Sequence, residues 1–151
     1  MIYVFDTNII FTSLHNQAFD SYIASNYRVG DNDLVLSSVS VGELKALALK
    51  RNWGYKRQNQ LLEAINQYII HPIKMQAILD NYANMDAYSQ SKLTNKPLPK
   101  GVTARNMGKN DLWIAATAYT INAKLVTTDK DFDHFDKSFL KIDRINLASF
   151  I

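Results

Sequence analysis

Five acidic residues stand where a metal-dependent reaction on a phosphate could occur. Each follows a short apolar segment or lies near the start of a helical one: Asp6, Glu43, Asp111, Asp129 and Asp131. Asp6 directly follows residues 2–5, an apolar run typical of a strand buried on both faces of a parallel sheet. Because parallel strands end at one edge of a sheet, we expect the five carboxylates to gather there. Carboxylates brought that close stay ionised only with a divalent cation between them.

The chain has no cysteine, which limits the kind of metal it could hold. Its three histidines, at positions 15, 71 and 134, show no metal-ligand spacing, and we assign them no role. A site made of carboxylates suits a hard cation, Mg²⁺ or Mn²⁺, which keeps several waters and is completed by substrate phosphates.

Positive charge is concentrated in two windows that contain no acid. The first lies between Glu43 and Glu63 and the second between Asp86 and Asp111, each with five Lys or Arg residues out of 17 in the chain. We predict nucleic-acid contacts at Lys45, Lys50, Arg51, Lys56, Arg57, Lys100, Arg105 and Lys109. A metal pocket between two basic windows indicates metal-assisted hydrolysis of a phosphodiester. The alternative is that these residues form ordinary solvated helix faces.

Short apolar strands alternate with helical segments along the chain. We predict strands at 2–5, 34–36 and 124–127, with shorter extended pieces at 69–73 and 140–142. Helices are predicted at 8–26 (as one or two), 39–51, 56–68, 74–93 and 111–121, the last capped by Asn110. Residues 94–101 and 128–132 are predicted loops. This alternation indicates one α/β domain over residues 1–151 with a mostly parallel sheet.

Composition is consistent with that class. With 151 residues, 47% apolar and 21% charged, the chain suits one globular domain and not a disordered segment. It contains no apolar run of roughly 18 residues and no basic-then-apolar leader, so we expect a cytoplasmic protein.

Four motifs, in this order and spacing, resemble the PIN domain. They are Asp6-Thr7-Asn8, Glu43 after a strand and a serine turn, residues 110–118 around Asp111, and residues 125–132 around Asp129. The sequence is most similar to the VapC type, the ribonuclease toxins of bacterial toxin–antitoxin pairs. The resemblance implies a three-layer α/β/α domain with a central, mostly parallel sheet.

The resemblance also implies roles for individual residues. Asp6, Glu43 and Asp111 would bind the metal, with Asp129 as the fourth acid and Asp131 close enough to assist or replace it. Asn8 would orient the Asp6 carboxylate, and Thr127 would hydrogen-bond within the cluster. A water bound to Mg²⁺ or Mn²⁺ would attack a phosphorus of single-stranded or loop RNA.

The partners implied by the family are a second copy of the chain and a small antitoxin. The C-terminal segment of the antitoxin would occupy the basic groove at the active site. The Pro- and Lys-rich loop at 94–105 could shape the RNA site or bind a partner, and both remain open.

Simpler explanations exist for single residues and for the whole chain. Asp6 could be a helix N-cap, Glu43 the capping-box partner of Ser40, and Asp111 a first-turn acid favoured by the helix dipole. At the level of function, the alternatives are a catalytically silent PIN module that binds RNA or an antitoxin, and a haloacid-dehalogenase-like phosphotransferase. The second family wants another aspartate where this chain has Asn8.

Overall fold

A parallel sheet of five strands lies at the centre of the computed structural model, which describes residues 1–150. The spatial order is β3-β2-β1-β4-β5, and every strand pair is parallel. The strands are β1 (Ile2–Phe5), β2 (Asp33–Ser37), β3 (Ile69–His71), β4 (Lys124–Thr127) and β5 (Ile142–Arg144). Ile151, the last residue of the predicted domain, lies outside the described residues.

Helices connect the strands. They are α1 (Thr7–His15), α2 (Gln17–Asn26), α3 (Ser38–Lys50), α4 (Tyr55–Ile65), α5 (Gln76–Ser89) and α6 (Lys109–Thr120). Two 3₁₀ helices follow, at Lys130–Phe135 and Leu147–Phe150. Within residues 1–150, none of the helices combines the length and the apolar character that crossing a membrane requires.

Successive strand residues point to opposite faces of the sheet and fill two separate cores. Val4 and Leu125 pack with α5, α6 and the first 3₁₀ helix, whereas Phe5 and Val126 pack with α1 to α4. Both faces of the sheet are therefore covered, which gives the three-layer α/β/α arrangement and explains why β1 is a continuous apolar run and why the last three residues of β4 are buried.

The order in which strands are added to the sheet reverses between β1 and β4. The chain goes from β1 to β2 and β3 on one side, then returns to place β4 on the other side of β1. Register pairs Phe5 with Val126, and the Asp6 amide donates to the carbonyl of Val126 at 2.9 Å. Open α/β sheets bind ligands at such a switch point, beyond the carboxyl ends of the strands.

Several details differ from the sequence predictions. The helices predicted at 56–68 and 74–93 end earlier, as α4 (Tyr55–Ile65) and α5 (Gln76–Ser89), and the extended piece predicted at 69–73 is β3 (Ile69–His71). β5 begins at Ile142, two residues later than predicted, and the predicted loop at 128–132 runs into the first 3₁₀ helix. The prediction that Asn110 caps α6 is wrong: Gly108 is the N-cap residue, and Asn110 lies inside the first turn. Gly108 has φ −60° and ψ 143°, an extended N-cap geometry, and glycine is among the residues common at N-caps.

Candidate metal centre

Asp6 lies at the base of the site, immediately after β1. It is 3% exposed, and its Oδ2 accepts a hydrogen bond of 2.8 Å from the hydroxyl of Thr127, at the end of β4. The backbone of Asp6 occupies the N-cap position of α1, but its side chain makes no capping bond. The N-cap explanation is therefore wrong for the side chain, which faces β4 instead.

Glu43 reaches the same edge from the first half of α3. The hydroxyl of Thr7 donates to Glu43 Oε1 at 2.7 Å and also lies 3.0 Å from Ser40 Oγ. The capping-box explanation is wrong, because α3 begins at Ser38 with Ser37 as its N-cap, which places Ser40 and Glu43 inside the helix. Thr7 thus joins the start of α1 to Glu43.

Three further carboxylates form the open part of the site. Asp111, Asp129 and Asp131 each offer an oxygen atom within 4.8 Å of the others. Asp111 lies in the first turn of α6. Asp129 is the N-cap of the first 3₁₀ helix: its amide donates to Thr127 Oγ1 at 3.0 Å, and its Oδ1 accepts from the Asp131 amide at 2.9 Å.

Burial and the neighbouring negative charges raise the pKa values of two acids in this cluster. Burial raises the pKa of the Asp6 carboxyl to about 7, and the charges of Asp111 and Asp129 raise it too, against the hydrogen bond from Thr127. Burial likewise raises the pKa of Asp111 to about 6, together with the charges of Asp129, Glu43 and Asp131. Asp111 therefore feels the charges of Asp129, Glu43 and Asp131, and Asp6 those of Asp111 and Asp129, although Asp6 and Glu43 stand outside the tight group of three.

The donor set fits a divalent cation. Among residues 1–150, none of the five carboxylates forms an ion pair with a protein cation; the two ion pairs found there join Arg28 to Asp20 and Arg144 to Asp133. A cluster of oxygen ligands without a protein counter-charge is the arrangement that Mg²⁺ and Mn²⁺ prefer.

The predicted supporting residues behave differently. Thr127 is buried and forms the predicted hydrogen bond within the cluster. Asn8 is exposed, and its side chain makes no hydrogen bond to Asp6 in the described part of the chain. The hydroxyl of Thr127 holds the Asp6 carboxylate in the place that the motif suggested for Asn8.

The predicted basic residues fall into two groups. Arg105 and Lys109 lie beside the acids: Arg105 donates to the Asp131 carbonyl at 3.3 Å, and Lys109 opens the helix that carries Asp111. Lys45 lies two residues after Glu43 on α3, about half a helical turn away. The remaining residues lie farther along the chain from the acids and are exposed: Lys50, Arg51, Lys56, Arg57 and Lys100.

Thr7 and Ser40 are site residues that the sequence analysis missed. Both had a local explanation as helix-capping residues, and their contact spans 33 positions in the sequence. The Asp-Thr-Asn motif contained Thr7, but its spacing alone could not show that Thr7 bonds to Glu43.

Comparison with known proteins assigns this architecture to one family. Residues 3–138 match the family model described as PIN domain. None of the curated proteins compared with the chain gave a significant match.

Several solved structures share the fold. VapBC2 from Rickettsia felis, bound to a DNA fragment from the promoter, is 23% identical with a TM-score of 0.72, over 95% of this chain and 98% of that one. VapBC-1 from nontypeable Haemophilus influenzae is 24% identical with a TM-score of 0.70, over the same shares. DNA-bound VapBC from Salmonella typhimurium is 16% identical with a TM-score of 0.71, again over 95% and 98%.

Proposed function

Since the chain belongs to the PIN domain family, we propose that it is a metal-dependent endoribonuclease and the VapC-type toxin of a type II toxin–antitoxin pair. Residues 1–151 would form its single nuclease domain. The observation that carries the proposal is the group of Asp111, Asp129 and Asp131, whose carboxylate oxygens lie within 4.8 Å of one another beside buried Asp6. Their place at the switch point of a parallel sheet is where such folds bind ligands.

Asp6, Asp111 and Asp129, with Glu43 and Asp131 at the sides, would hold the metal. When bound, Mg²⁺ or Mn²⁺ would lower the pKa of a water and offset charge on the scissile phosphate. The raised pKa values of Asp6 and Asp111 fit this role, because a cation favours their ionised forms.

The other side chains prepare the site before substrate arrives. Thr127 fixes one oxygen of Asp6 and the amide of Asp129, so β4 aligns two acids at once. Thr7 does the same for Glu43. Arg105 and Lys109 flank the acids and would hold the phosphates of an RNA strand in register.

We propose an antitoxin partner because the solved structures with a similar fold are of VapBC proteins. The structures of Rickettsia felis VapBC2 and Salmonella typhimurium VapBC are described as complexes bound to DNA. For this chain we propose a small antitoxin that covers the acid centre and its basic flanks, and a homodimer as the assembly.

The first test is calorimetric titration of Mn²⁺ into metal-stripped protein, with cleavage of single-stranded RNA followed in parallel. We expect wild type to bind Mn²⁺ and to cut RNA, and Asp111→Asn to lose both. This variant should stay folded, because it removes a carboxylate whose pKa the cluster already raises. Asp31→Asn, in an exposed turn outside the site, is the matched control.

Each result has a definite meaning. Binding and cleavage that both depend on Asp111 would support the nuclease. Mn²⁺ binding without RNA cleavage would favour the silent PIN module. Cleavage that persists in Asp111→Asn would show that the acid cluster is not the active site. The haloacid-dehalogenase alternative has no support, because the family matched is PIN.

A further inference from the structure

A second cleft lies at the opposite edge of the sheet from the acids. It encloses about 500 Å³ at the amino end of β4, between the last turn of α6 and the turn that precedes β5. This volume is within the range of roughly 300–1,000 Å³ typical of small-ligand sites.

Three lysines line this cleft, and we call them the lysine cleft residues: Lys124, Lys137 and Lys141. No acidic residue lines the cleft in the part of the chain that the structure describes. None of the three takes part in the ion pairs found among residues 1–150. The cleft therefore concentrates unpaired positive charge and favours an anionic ligand.

One wall of the cleft is aromatic. Tyr119 and Phe139 both line it and meet edge to face, with ring centroids 5.3 Å apart. Tyr119 is 40% exposed. A ring beside several amines offers a base a stacking surface and its phosphates a counter-charge, which is how proteins hold single-stranded nucleic acid.

Basic side chains connect the lysine cleft to the acid centre. Arg105 donates to the Asp131 carbonyl beside the acids. At the other end of the same loop, Lys96 donates to the Ser138 carbonyl at 2.6 Å and stands 3.8 Å from the centroid of Phe139. The loop at 94–105 thus contacts the segment from Asp131 to Phe139 through a cation near each of its ends.

We propose that the lysine cleft binds a nucleotide of the RNA strand whose scissile phosphate lies at the acid centre, several nucleotides away. The inference deepens the nuclease proposal and rests on it for the substrate. A free nucleotide has the same chemistry, but a cation beside the acids, Arg105, and another beside the cleft residue Phe139, Lys96, favour a strand that spans both sites.

The test measures RNA binding without catalysis. A labelled single-stranded RNA of about twelve nucleotides is titrated with protein in EDTA, by fluorescence anisotropy, at several salt concentrations. The variant combines Lys124→Gln, Lys137→Gly and Lys141→Gln. Lys137 has a positive φ of 65°, a backbone conformation that glycine adopts freely, so Lys137→Gly removes the charge without disturbing the turn.

We expect the triple variant to bind this RNA about tenfold more weakly. The slope of log affinity against log salt should become less steep by about two, since each of the three lost phosphate contacts contributes about 0.7. A four-nucleotide RNA, too short to reach both sites, should bind the wild type much more weakly than the twelve-nucleotide RNA does. Tyr119→Ala should weaken binding of the longer RNA about fivefold with the salt slope unchanged. Lys141→Gln is also measured alone, and Lys74→Gln, at an exposed lysine near β3, is its single-charge control.

Equal affinities and slopes for wild type and triple variant would overturn the proposal. So would lysine-dependent binding of adenosine monophosphate with unchanged binding of the longer RNA, because the ligand would then be a free nucleotide. Lysine-dependent RNA binding by a protein that cuts no RNA would support the cleft and contradict the nuclease. Normal RNA cleavage by a protein whose RNA binding does not depend on the three lysines would support the nuclease and contradict the cleft.

Discussion

The Asp6 carboxyl group is buried before any cation reaches it. It is 3% exposed, Thr127 is its hydrogen-bond partner from a neighbouring strand, and its pKa is about 7. Ionising a buried carboxylate costs free energy, and a bound cation would offset that cost. The cost at this one residue makes the stability of the metal-free protein depend on pH.

We predict that the Asp6 carboxyl group makes the metal-free protein less stable as pH rises. The Asp6 pKa is raised from 3.8 to about 7 on folding, so its contribution is fully present below pH 3.8 and is lost as pH rises through 7. Between pH 5 and pH 8 the loss from this group is at most about 3 kcal/mol. Thermal unfolding in EDTA should show a smaller decrease for Asp6→Asn than for wild type. Equal decreases would contradict this assignment.

We also predict that Thr7→Val weakens Mn²⁺ binding about three- to tenfold. The change removes the hydroxyl that donates to Glu43 Oε1 and leaves the shape nearly unchanged, so Glu43 loses its fixed orientation. Calorimetric titration measures the effect. Thr12→Val, on the same helix, is the matched control, and an equal loss there would mean that α1 and not Glu43 is responsible.

At the scale of single residues, the sequence indicated the acids more readily than the groups that hold them. Asp6 and Asp111 belong to local motifs, next to an apolar strand or in the first turn of a patterned helix. The bond from Thr7 to Glu43 crosses 36 positions, and that from Thr127 to Asp6 crosses 121. Local spacing carries no information on such pairs: the roles expected of Asn8 and Thr127 came from the resemblance to the PIN domain, and the bond from Thr7 to Glu43 was not predicted.

Among the elements, the first 3₁₀ helix was the least predictable and carries much of the site. Residues 130–135 hold four charged or titratable side chains without helical periodicity, and we predicted only a loop at their start. The structure buries Phe132 and Phe135 in the core, which fixes the helix and places Asp131 beside Asp111. The apolar strands, in contrast, were evident because a buried parallel sheet requires continuous apolar runs.

His134 fastens this 3₁₀ helix to α5. Its Nε2 lies 2.7 Å from Ser89 Oγ, and its ring stacks on Tyr88. Burial lowers the pKa of His134 to about 4, so the imidazole is neutral at pH 7. The attachment therefore weakens in acid, when the buried ring has to accept a proton.

We predict that His134→Phe removes one acid-labile contribution to stability. The pKa falls from 6.5 to about 4 on folding, so the stability from this group is present above pH 6.5 and is lost as pH falls through 4. The variant keeps a stacked ring but leaves Ser89 without its imidazole partner, which costs about 1–2 kcal/mol at pH 7. Denaturant unfolding at pH 7 and pH 4.5 should show a smaller difference between the two pH values for the variant. A larger difference would contradict the prediction.

At the scale of the whole molecule, one edge of the sheet leaves apolar side chains in contact with solvent. Within the described residues, β3 pairs with β2 alone, and Ile69 on it is 55% exposed. Several large apolar residues near it in the sequence are also exposed: Leu62, Ile70, Met75 and Leu79. Exposed apolar side chains on a short edge strand are typical of a surface that another chain covers.

We predict that Ile69→Glu converts a dimer into a monomer, if this edge is the surface of the proposed homodimer. A charge on the exposed face of β3 opposes association without entering the core. Light scattering coupled to size exclusion measures the mass. Leu49→Glu, at a position on α3 that is 71% exposed, should form the same dimer as the wild type. A dimer that survives Ile69→Glu would place the interface elsewhere.

The position of β4 beside β1 determines when the acid centre can exist during synthesis. Asp6 leaves the ribosome early, but its partners Asp111, Thr127 and Asp129 follow more than 100 residues later. Contacts of such high sequence separation form late and slowly in folding. A nascent chain that has released β1, β2 and β3 therefore carries no assembled cluster. The ribonuclease that we propose would therefore stay inert toward the RNA around it until synthesis has passed β4.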